Sequence, residues 1–559
     1  MSLTSSGGNE FVLEKTLCKL NALYEFSDMS IDKQDNIYVL AGFRGSINID
    51  TIAFNTTLVM DIGNLKNPRG VFCIKLDSNL NIVFIKKLFE SSDLKGYSAP
   101  TFDSKNNCIF NLSFKDTLLY NGDTLMATNN VDGLLLKTDE NLNPIIYQQF
   151  GNYNDDYLSK LTLDEFDNYY LAGTFNTTWT GYSPAYPFVL CSDTIYSDRN
   201  GMFIAKFDSN FNCIWHKDYH MSGDEIIGDF KYYKGALYAT LEVYNGSNSI
   251  SFGGLSVNYA NGTWGRLFLA KIDSSNGTSK WLRSVTSYNS INNLTYLSLR
   301  DISVQNNKIF IIGGINSSFS NTVKFEGSLG LLQSLWQVDY FVGCYDTSGN
   351  FIWNTISQSY GSEALSNVIA DSLGNVIGIG SLDSKLCYDN DTLYSFGNDD
   401  ALAFSYDKNG NYLWSAKAGG SLIDQANDVV VTQSGKLIVL GTTNSPTCAF
   451  GNTIETFPGD GNYLFLASID SLQEPFGMQS EQSIADEVEV FPNPVSNMLN
   501  IKSSLPKYQL FCYNTLGVLL LQSDEKQKNL NLNHLPNGIY QIKIISDKQY
   551  LNKKILIQH

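Results

Sequence analysis

No run of eighteen or more apolar residues occurs in the 559-residue sequence, so it holds no segment suited to a membrane-spanning helix and direct membrane insertion is not expected. Equally absent are a Cys-x-x-Cys pair, an HExxH motif, a GxSxG elbow and a phosphate-cradling glycine loop. With them go the local signatures of zinc sites, metalloproteases, α/β-hydrolases and nucleotide-binding enzymes. Charge is scarce at 17% of residues and leans acid, with a net charge of −18. Residues 487–559 carry eight lysines against five acids, which leaves about −21 on the rest. A body of that sign repels nucleic acid phosphates, so nucleic acid is not an expected partner. The opening MSLTSSGGNE has no charged n-region and no apolar h-region; a signal peptide is expected to have been lost from the chain or left out of it. The nine cysteines are odd in number and irregular in spacing. Buried free thiols are expected, with Cys387 and Cys448, at nearly equivalent positions of successive repeats, as one conceivable pair.

What the sequence does have is aromatic residues (13%), 44 glycines and repetition, the marks of a β-rich globular chain long enough for a large and a small domain. A short β run ending in a small residue recurs as NIYVLAG (36–42), NCIFNLS (107–113), NYYLAG (168–173), ALYAT (236–240), KIFIIGG (308–314), NVIGIG (375–380) and KLIVLG (436–441). A second run closes on Asp77, Asp139, Asp208, Asp273, Asp346, Asp407 and Asp470, spaced by 62, 69, 65, 73, 61 and 63 residues. After the first six of these aspartates comes a turn and another strand; after the seventh the strand is missing. FVLEKTL (11–17) resembles IVFIKKL of the first repeat and can supply it, closing a ring of sheets. The expected fold is therefore all-β: a seven-bladed β-propeller of four-stranded blades over 9–474, a linker at 475–486 and a small Ig-like β-sandwich at 487–559.

Within a repeat, DTSGN (346–350) and DKNGN (407–411) read as hairpin turns; one or two carboxylates each are too few for calcium. Phe84, Ile146, Trp215, Trp281, Trp353 and Trp414 recur at one position and should fill the wedge between blades. DSSNGTSKW (273–281) resembles the docking motif of quinone-dependent dehydrogenase propellers, but no second cofactor signature accompanies it, and no cofactor is expected.

The stretches 371–420 and 451–470 resemble the bacterial SBBP propeller repeat, a likeness that covers most of 20–470 and implies a fold rather than an activity. EVEVFPNPVSNMLNI (487–501), YNTLGVLLLQ (513–522), LNHLPNGIYQIKI (532–544) and NKKILIQH (552–559) resemble the type A C-terminal sorting domain of the type IX secretion system in Bacteroidetes. By position, the resemblance makes Pro492, Asn493 and Pro494 the lead into the first strand, Gly517 the central hairpin, Gly538 and Tyr540 the GxY-type strand, and Lys553 with Lys554 the basic final strand. It implies transit through the periplasm, export as folded cargo, and the type IX translocon with its outer-membrane shuttle and sortase components as partners. The protein would then be secreted or attached to the outer-membrane surface.

For a ligand, Trp179, Tyr182, Tyr186 and Phe188 in the long loop 174–190 could stack on sugar rings, and Trp336 is a second candidate. The competing expectation is that they cover the rim of their own scaffold. His216 and His220 stand near Asp224 and Glu225, but four residues of extended strand separate their side chains by about 13 Å, too far for one metal ion. DTI and DTL triplets such as Asp193-Thr194-Ile195 and Asp391-Thr392-Leu393 resemble the O-glycosylation acceptor of Bacteroidetes and equally suit repeated strand starts. The expected role is a non-catalytic binding, adhesion or surface-structural module with a glycan or surface protein as ligand. The alternative is a secreted hydrolase or lyase with acids from different blades converging in the channel.

Overall fold

In the computed structural model the described residues are 9–20, 27–49, 52–56, 69–176, 188–195, 200–219, 224–244, 249–258, 266–288, 296–316, 322–333, 338–359, 361, 363–388, 391–458, 461–470, 488–503, 507–513, 519–523, 527–546 and 549–559. Among them the regular structure is all β. The chain divides into two compact bodies, Met1–Gly477 and Met478–His559, and the expected linker at 475–486 lies outside the described residues.

The first body is a succession of four-stranded antiparallel modules with propeller-like order. Module one runs Ser27–Ile31, Ile37–Phe43, Arg69–Leu76, Ile82–Tyr97, and module five Tyr296–Gln305, Lys308–Asn316, Val338–Asp346, Phe351–Ile356; modules two, three, four and six begin at Thr101, Tyr157, Asp224 and Ala364. Modules one and two share one sheet because Ile82–Tyr97 also pairs with Cys108–Tyr120. Asp424–Val431, Leu437–Thr443 and Asn462–Asp470 make three strands of the seventh, and its fourth is Glu10–Leu20, antiparallel to Asn462–Asp470 from Glu10↔Asp470 to Leu20↔Asn462. FVLEKTL thus pairs with the last repeat.

The turns follow from one carboxylate. Asp346 Oδ1 accepts the N–H of Ser348 and of Asn350, each at 2.8 Å, and Asn350 Nδ2 donates to Oδ2 at 2.8 Å. Asp407 binds Asn409 and Asn411 in the same way. Asp32, Asp103, Asp164 and Asp371 repeat it between the first and second strands. In Asp346 and Asp407 both carboxylate oxygens bond within the turn, whereas Asp32 and Asp164 also accept from Asn106 Nδ2 and the Tyr170 hydroxyl. The DTI and DTL triplets at 193 and 391 open the second arm of short hairpins inserted between second and third strands, and Thr194 and Thr392 are exposed.

The apolar core of this body falls into seven clusters among the described residues, each joining neighbouring modules. Phe11 enters the cluster of modules six and seven, whereas Leu17, Cys18 and Leu20 join module seven to module one. The recurrent tryptophans work at these interfaces. Trp353 Nε1 donates to Lys408 O at 3.2 Å in the next module's turn, and its indole lies so close to Gly410 (φ +89°) that a Cβ there would come within 2.7 Å. Trp281 meets Gly349 (φ +85°) likewise. That contact, with Asp273 closing its own turn through Ser275, gives 273–281 a packing role. Ile146 departs from the column and is exposed. Trp353→Ala is expected to lower unfolding free energy by roughly 3–5 kcal/mol in urea titrations.

One expectation fails. Cys191 and Cys213 are disulfide-bonded, Cα–Cα 5.5 Å, while the described Cys18, Cys73, Cys108, Cys344, Cys387, Cys448 and Cys512 are free. Cys191 sits at the tip of the hairpin Phe188–Leu190/Asp193–Ile195, which folds back on the fourth strand of module three where Cys213 begins it. A bridge across 22 residues should contribute about 3 kcal/mol, so Cys191→Ser with Cys213→Ser is expected to lower stability by about that much relative to the oxidised protein.

The second body has two antiparallel sheets, one of Val488–Phe491, Met498–Ser503 and Asn529–Asn531, the other of Leu519–Gln522, Gln509–Tyr513, Gly538–Ser546 and Gln549–Ile557. They share a core of Leu499, Ile501, Leu510, Cys512, Ile542, Ile544 and Ile557.

Candidate functional site

Of the aromatic residues expected to meet a ligand, Trp179, Tyr182, Tyr186 and Trp336 lie outside the described residues. Phe188 is described and is no ligand contact: it is buried and stacked on Phe175 at 5.1 Å in the core of module three. His220 is also outside the described residues, and His216 Nε2 lies 2.9 Å from Asp193 Oδ2.

The sorting-motif residues of the second body fall together. Asn493, between cis peptides at Pro492 and Pro494, donates from Nδ2 to Lys554 O at 2.9 Å and accepts the Leu556 N–H at 2.8 Å on Oδ1. The lead into the first strand is thereby tied to the final strand, where Val495 also bridges Ile557. Gly538 opens the strand that pairs with it, Tyr540 donates from its hydroxyl to Pro536 O at 2.9 Å, and Lys553 and Lys554 pair with Ile542 and Gln541. Gly517 is outside the described residues.

Two polar constellations in the first body were not singled out by sequence. The first runs around the innermost strands. A β-bulge in modules three to seven turns one residue of the first strand inward at equivalent register, namely Lys160, Asp229, Asp301, Asn367 and Asp428, and Asp28 opposite Leu40 occupies the position in module one. These side chains latch neighbouring modules. Asp428 Oδ2 accepts the N–H of Met29, Asp28 Oδ2 that of Ala99 and Asp301 Oδ2 that of Val368, each at 2.8 Å, and Asn367 Nδ2 donates to Asp428 Oδ1 at 2.8 Å. Lys160 and Lys231 both pair with Asp229, at 3.4 and 3.0 Å. Burial works against ionisation of Asp229, but the two ammonium groups outweigh it and hold its carboxyl well below the usual range. Burial, and then the Asp229 charge, push its hydrogen-bonded neighbour Asp301 well above that range; burial and Asp28 do the same to Asp428. Within the Asp229–Asp301 pair, burial and neighbouring charge therefore drive the two carboxyls in opposite directions.

The second constellation is a series of paired acids where third strands and the next first strands begin. The N–H of Asp156, Glu363 and Asp424 donates to the carbonyl of Val131, Val338 and Asp399, the residues before Asp132, Asp339 and Asp400. All six acids are buried. Asp424 is well served, accepting from Gly420 N–H and from the Thr443 and Ser445 hydroxyls. Glu363 is not: among the described residues neither carboxyl oxygen has a hydrogen-bond partner, since the Ser359 hydroxyl donates to Asp339 at 3.2 Å. Burial pushes Glu363 up to about 8, with Asp339 and Asp383 adding to the rise and Ser359 opposing it. Burial likewise pushes Asp400 up to about 7.

Residues 489–558 match the family described as the secretion system C-terminal sorting domain. The tail is thus a type IX sorting domain, and it directs the protein to the cell surface or beyond. A WD repeat-containing protein of Acanthamoeba polyphaga mimivirus is 30% identical over 116 residues, which are 20% of this chain and 8% of that protein. Among solved structures, Drosophila Plexin A in complex with Semaphorin 1b is similar with a TM-score of 0.35 at 9% identity, over 82% of this chain and 88% of that one. Drosophila Semaphorin 2a gives 0.35 at 7% identity over 96% of both. The extracellular domain of a two-component system of B. thetaiotaomicron gives 0.18 at 10% identity, over 95% and 80%. Likenesses of this strength are silent on ligand and chemistry.

Proposed function

We propose that this chain is an extracellular, non-catalytic binding, adhesion or surface-structural protein of a Bacteroidetes cell. Its first body is read as a closed seven-bladed propeller of the SBBP-repeat kind. Its second is read as an Ig-like sandwich over 487–559 that engages the type IX translocon and the outer-membrane shuttle and sortase components. The seven interface cores, the last of them completed by the N-terminal strand, support the closed ring. One observation carries the non-catalytic role. Glu363 and Asp400, whose carboxyls are raised toward the range of a catalytic acid, are 1% and 0% exposed, so a substrate atom has no approach within hydrogen-bond reach. Those same raised carboxyls are what favours the alternative, a secreted hydrolase or lyase.

The ligand is proposed to be a glycan or a surface protein, with Trp179, Tyr182, Tyr186 and Trp336 as rim contacts. A glycan array probed with the full chain, read alongside reducing-sugar release from the same glycans, separates the readings. Binding without release is expected; release that disappears in Glu363→Gln or Asp400→Asn would establish the enzyme instead. For the export route, a chain lacking residues 488–559 should remain in the periplasm of a type IX-competent host, and its arrival at the surface would refute the assignment.

A further inference from the structure

Glu363 is 1% exposed, and among the described residues neither of its carboxyl oxygens has a hydrogen-bond partner. Desolvating a carboxyl without a partner is strongly unfavourable, and a bound ion is one arrangement that offsets it. Other modules treat the same place differently. Asp424 accepts the Gly420 N–H and the Thr443 and Ser445 hydroxyls. Asp132 and Asp400 each keep one oxygen, Oδ1, without a hydrogen-bond partner among the described residues, and main chain seals it: a Cβ on Gly151 or Gly419 would lie 2.1 Å from that oxygen. At Glu363 both oxygens are left over.

What surrounds Glu363 is oxygen. The buried Ser359 hydroxyl, beside its carboxyl, lies 3.2 Å from Asp339 Oδ1 and 3.5 Å from Gly361 O. Ser357 donates to the same Oδ1 at 3.1 Å while accepting the Tyr340 N–H. Ser359 has a single proton, and with that proton turned to Asp339 its lone pairs are left for another partner. A Cβ on Gly361 would come within 3.2 Å of Asp383 Oδ2, which puts a third carboxylate beside this segment. Besides burial, the chief groups that bear on the Glu363 carboxyl are the Ser359 hydroxyl and the charges of Asp339 and Asp383, none of them a cation. The backbone fixes the arrangement, since the Glu363 N–H donates to Val338 O at 3.2 Å across the junction of modules five and six. Oxygens that ligate one ion at 2.3–2.6 Å stand about 3–3.5 Å apart, the spacing of Ser359 Oγ from its two neighbours.

We propose that Asp339, Ser359, Gly361 and Glu363 form a calcium site that joins modules five and six. Glu363 ligates through both carboxylate oxygens and Asp339 through one, the Ser359 hydroxyl and the Gly361 carbonyl supply neutral ligands, and water completes the six to eight oxygens that calcium takes. Two carboxylates match the charge of the ion, so the closed site is neutral, and Asp383 adds attraction from beside it. A donor set of oxygen alone, without His or Cys, suits calcium rather than zinc. Its irregular make-up, from one strand start and one short connection, suits the tolerant geometry of calcium better than the octahedron of magnesium. The inference goes beyond the reading of this body as a binding module and does not depend on the ligand that module takes.

The test is calorimetric titration of the full chain, stripped of metal with EDTA and held at about pH 8, with calcium chloride and, for comparison, magnesium chloride. Saturable calcium binding is expected with a Kd of about 10⁻⁴–10⁻³ M, as in other extracellular modules, and magnesium should bind more weakly. Glu363→Gln should weaken calcium binding at least about tenfold and Ser359→Ala by a smaller factor. Glu489→Gln, at an exposed acid of the second body, should leave it unchanged. In urea titrations of the metal-free chain, added calcium should raise the midpoint of wild type and leave that of Glu363→Gln in place. Absence of saturable calcium heat overturns the site, as does a folded Glu363→Gln chain that binds calcium like wild type. Should Glu363→Gln not fold, Ser359→Ala decides, and calcium binding that it leaves unchanged overturns the site. Magnesium bound as tightly as calcium overturns the choice of ion. Calcium bound at Glu363 with a silent glycan array upholds the site and rejects the glycan reading alone.

Discussion

A chain lacking residues 9–20 is expected to unfold at a markedly lower urea concentration than the full chain and to self-associate. The reason lies in what the N-terminal strand covers. Its backbone pairs along Asn462–Asp470, and its side chains divide between two interfaces: Phe11 is buried with Ile379, Trp414 and Phe465, Leu17 and Leu20 with Ile37, Ile74 and Leu466. Glu14 accepts the Ser468 hydroxyl at 2.7 Å and pairs with Lys436, while Lys15 Nζ reaches Leu80 O at 3.0 Å in module one. Deletion removes these contacts together and bares an apolar strand edge, the usual template for aggregation. Phe11→Ala isolates part of the effect and should cost roughly 3–5 kcal/mol. A deletion variant with an unchanged urea midpoint would show that the strand is not integral to the fold.

The second large effect is on pH. Glu363 has its carboxyl at about 8 in the fold, against an ordinary value of 4.5. Below the ordinary value the folded and unfolded chains both hold the proton, and the group is neutral to stability. Between the two values the unfolded chain gives up the proton while the fold keeps it, so stability falls as pH rises, and the loss is complete once the folded carboxyl also ionises near 8. The span corresponds to an upper bound of roughly 5 kcal/mol. Asp400 acts in the same sense up to about 7. Wild type should therefore be more stable at pH 5 than at pH 8, and Glu363→Gln should be the more stable protein at pH 8 while the gap closes toward pH 5. A variant whose urea midpoint tracks wild type across that range would contradict this account of Glu363.

The parts of this architecture that sequence revealed are those fixed by local chemistry. A turn with Asp at its start and Asn four residues on repeats visibly even though its left-handed position holds Leu80, Leu142 and Phe211 as well as Gly349 and Gly410, and the missing last strand could be counted. The central ring escaped because its members differ in type, from Lys160 through Asn367 to Asp428, and are brought into register only by bulges that shift each strand by a residue. The signal was there as a polar residue at similar distance before each small-ended second strand. The Cys191–Cys213 bridge escaped because it depends on a hairpin folding back on its own module, which spacing does not record. Glu363 was unreadable for a different reason. It stands where Asp156 and Asp424 stand in other modules, and only packing shows that its carboxyl oxygens, unlike those of Asp424, have no hydrogen-bond partner among the described residues.

The ring closure on which the fold account depends is tested most directly by amide hydrogen exchange of the intact chain, followed by mass spectrometry. Amides of residues 10–20 should be protected to the same degree as those of 462–470 and should lose protection in the same cooperative step. Exchange of 10–20 at the rate of an unstructured peptide, with 462–470 still protected, would contradict it.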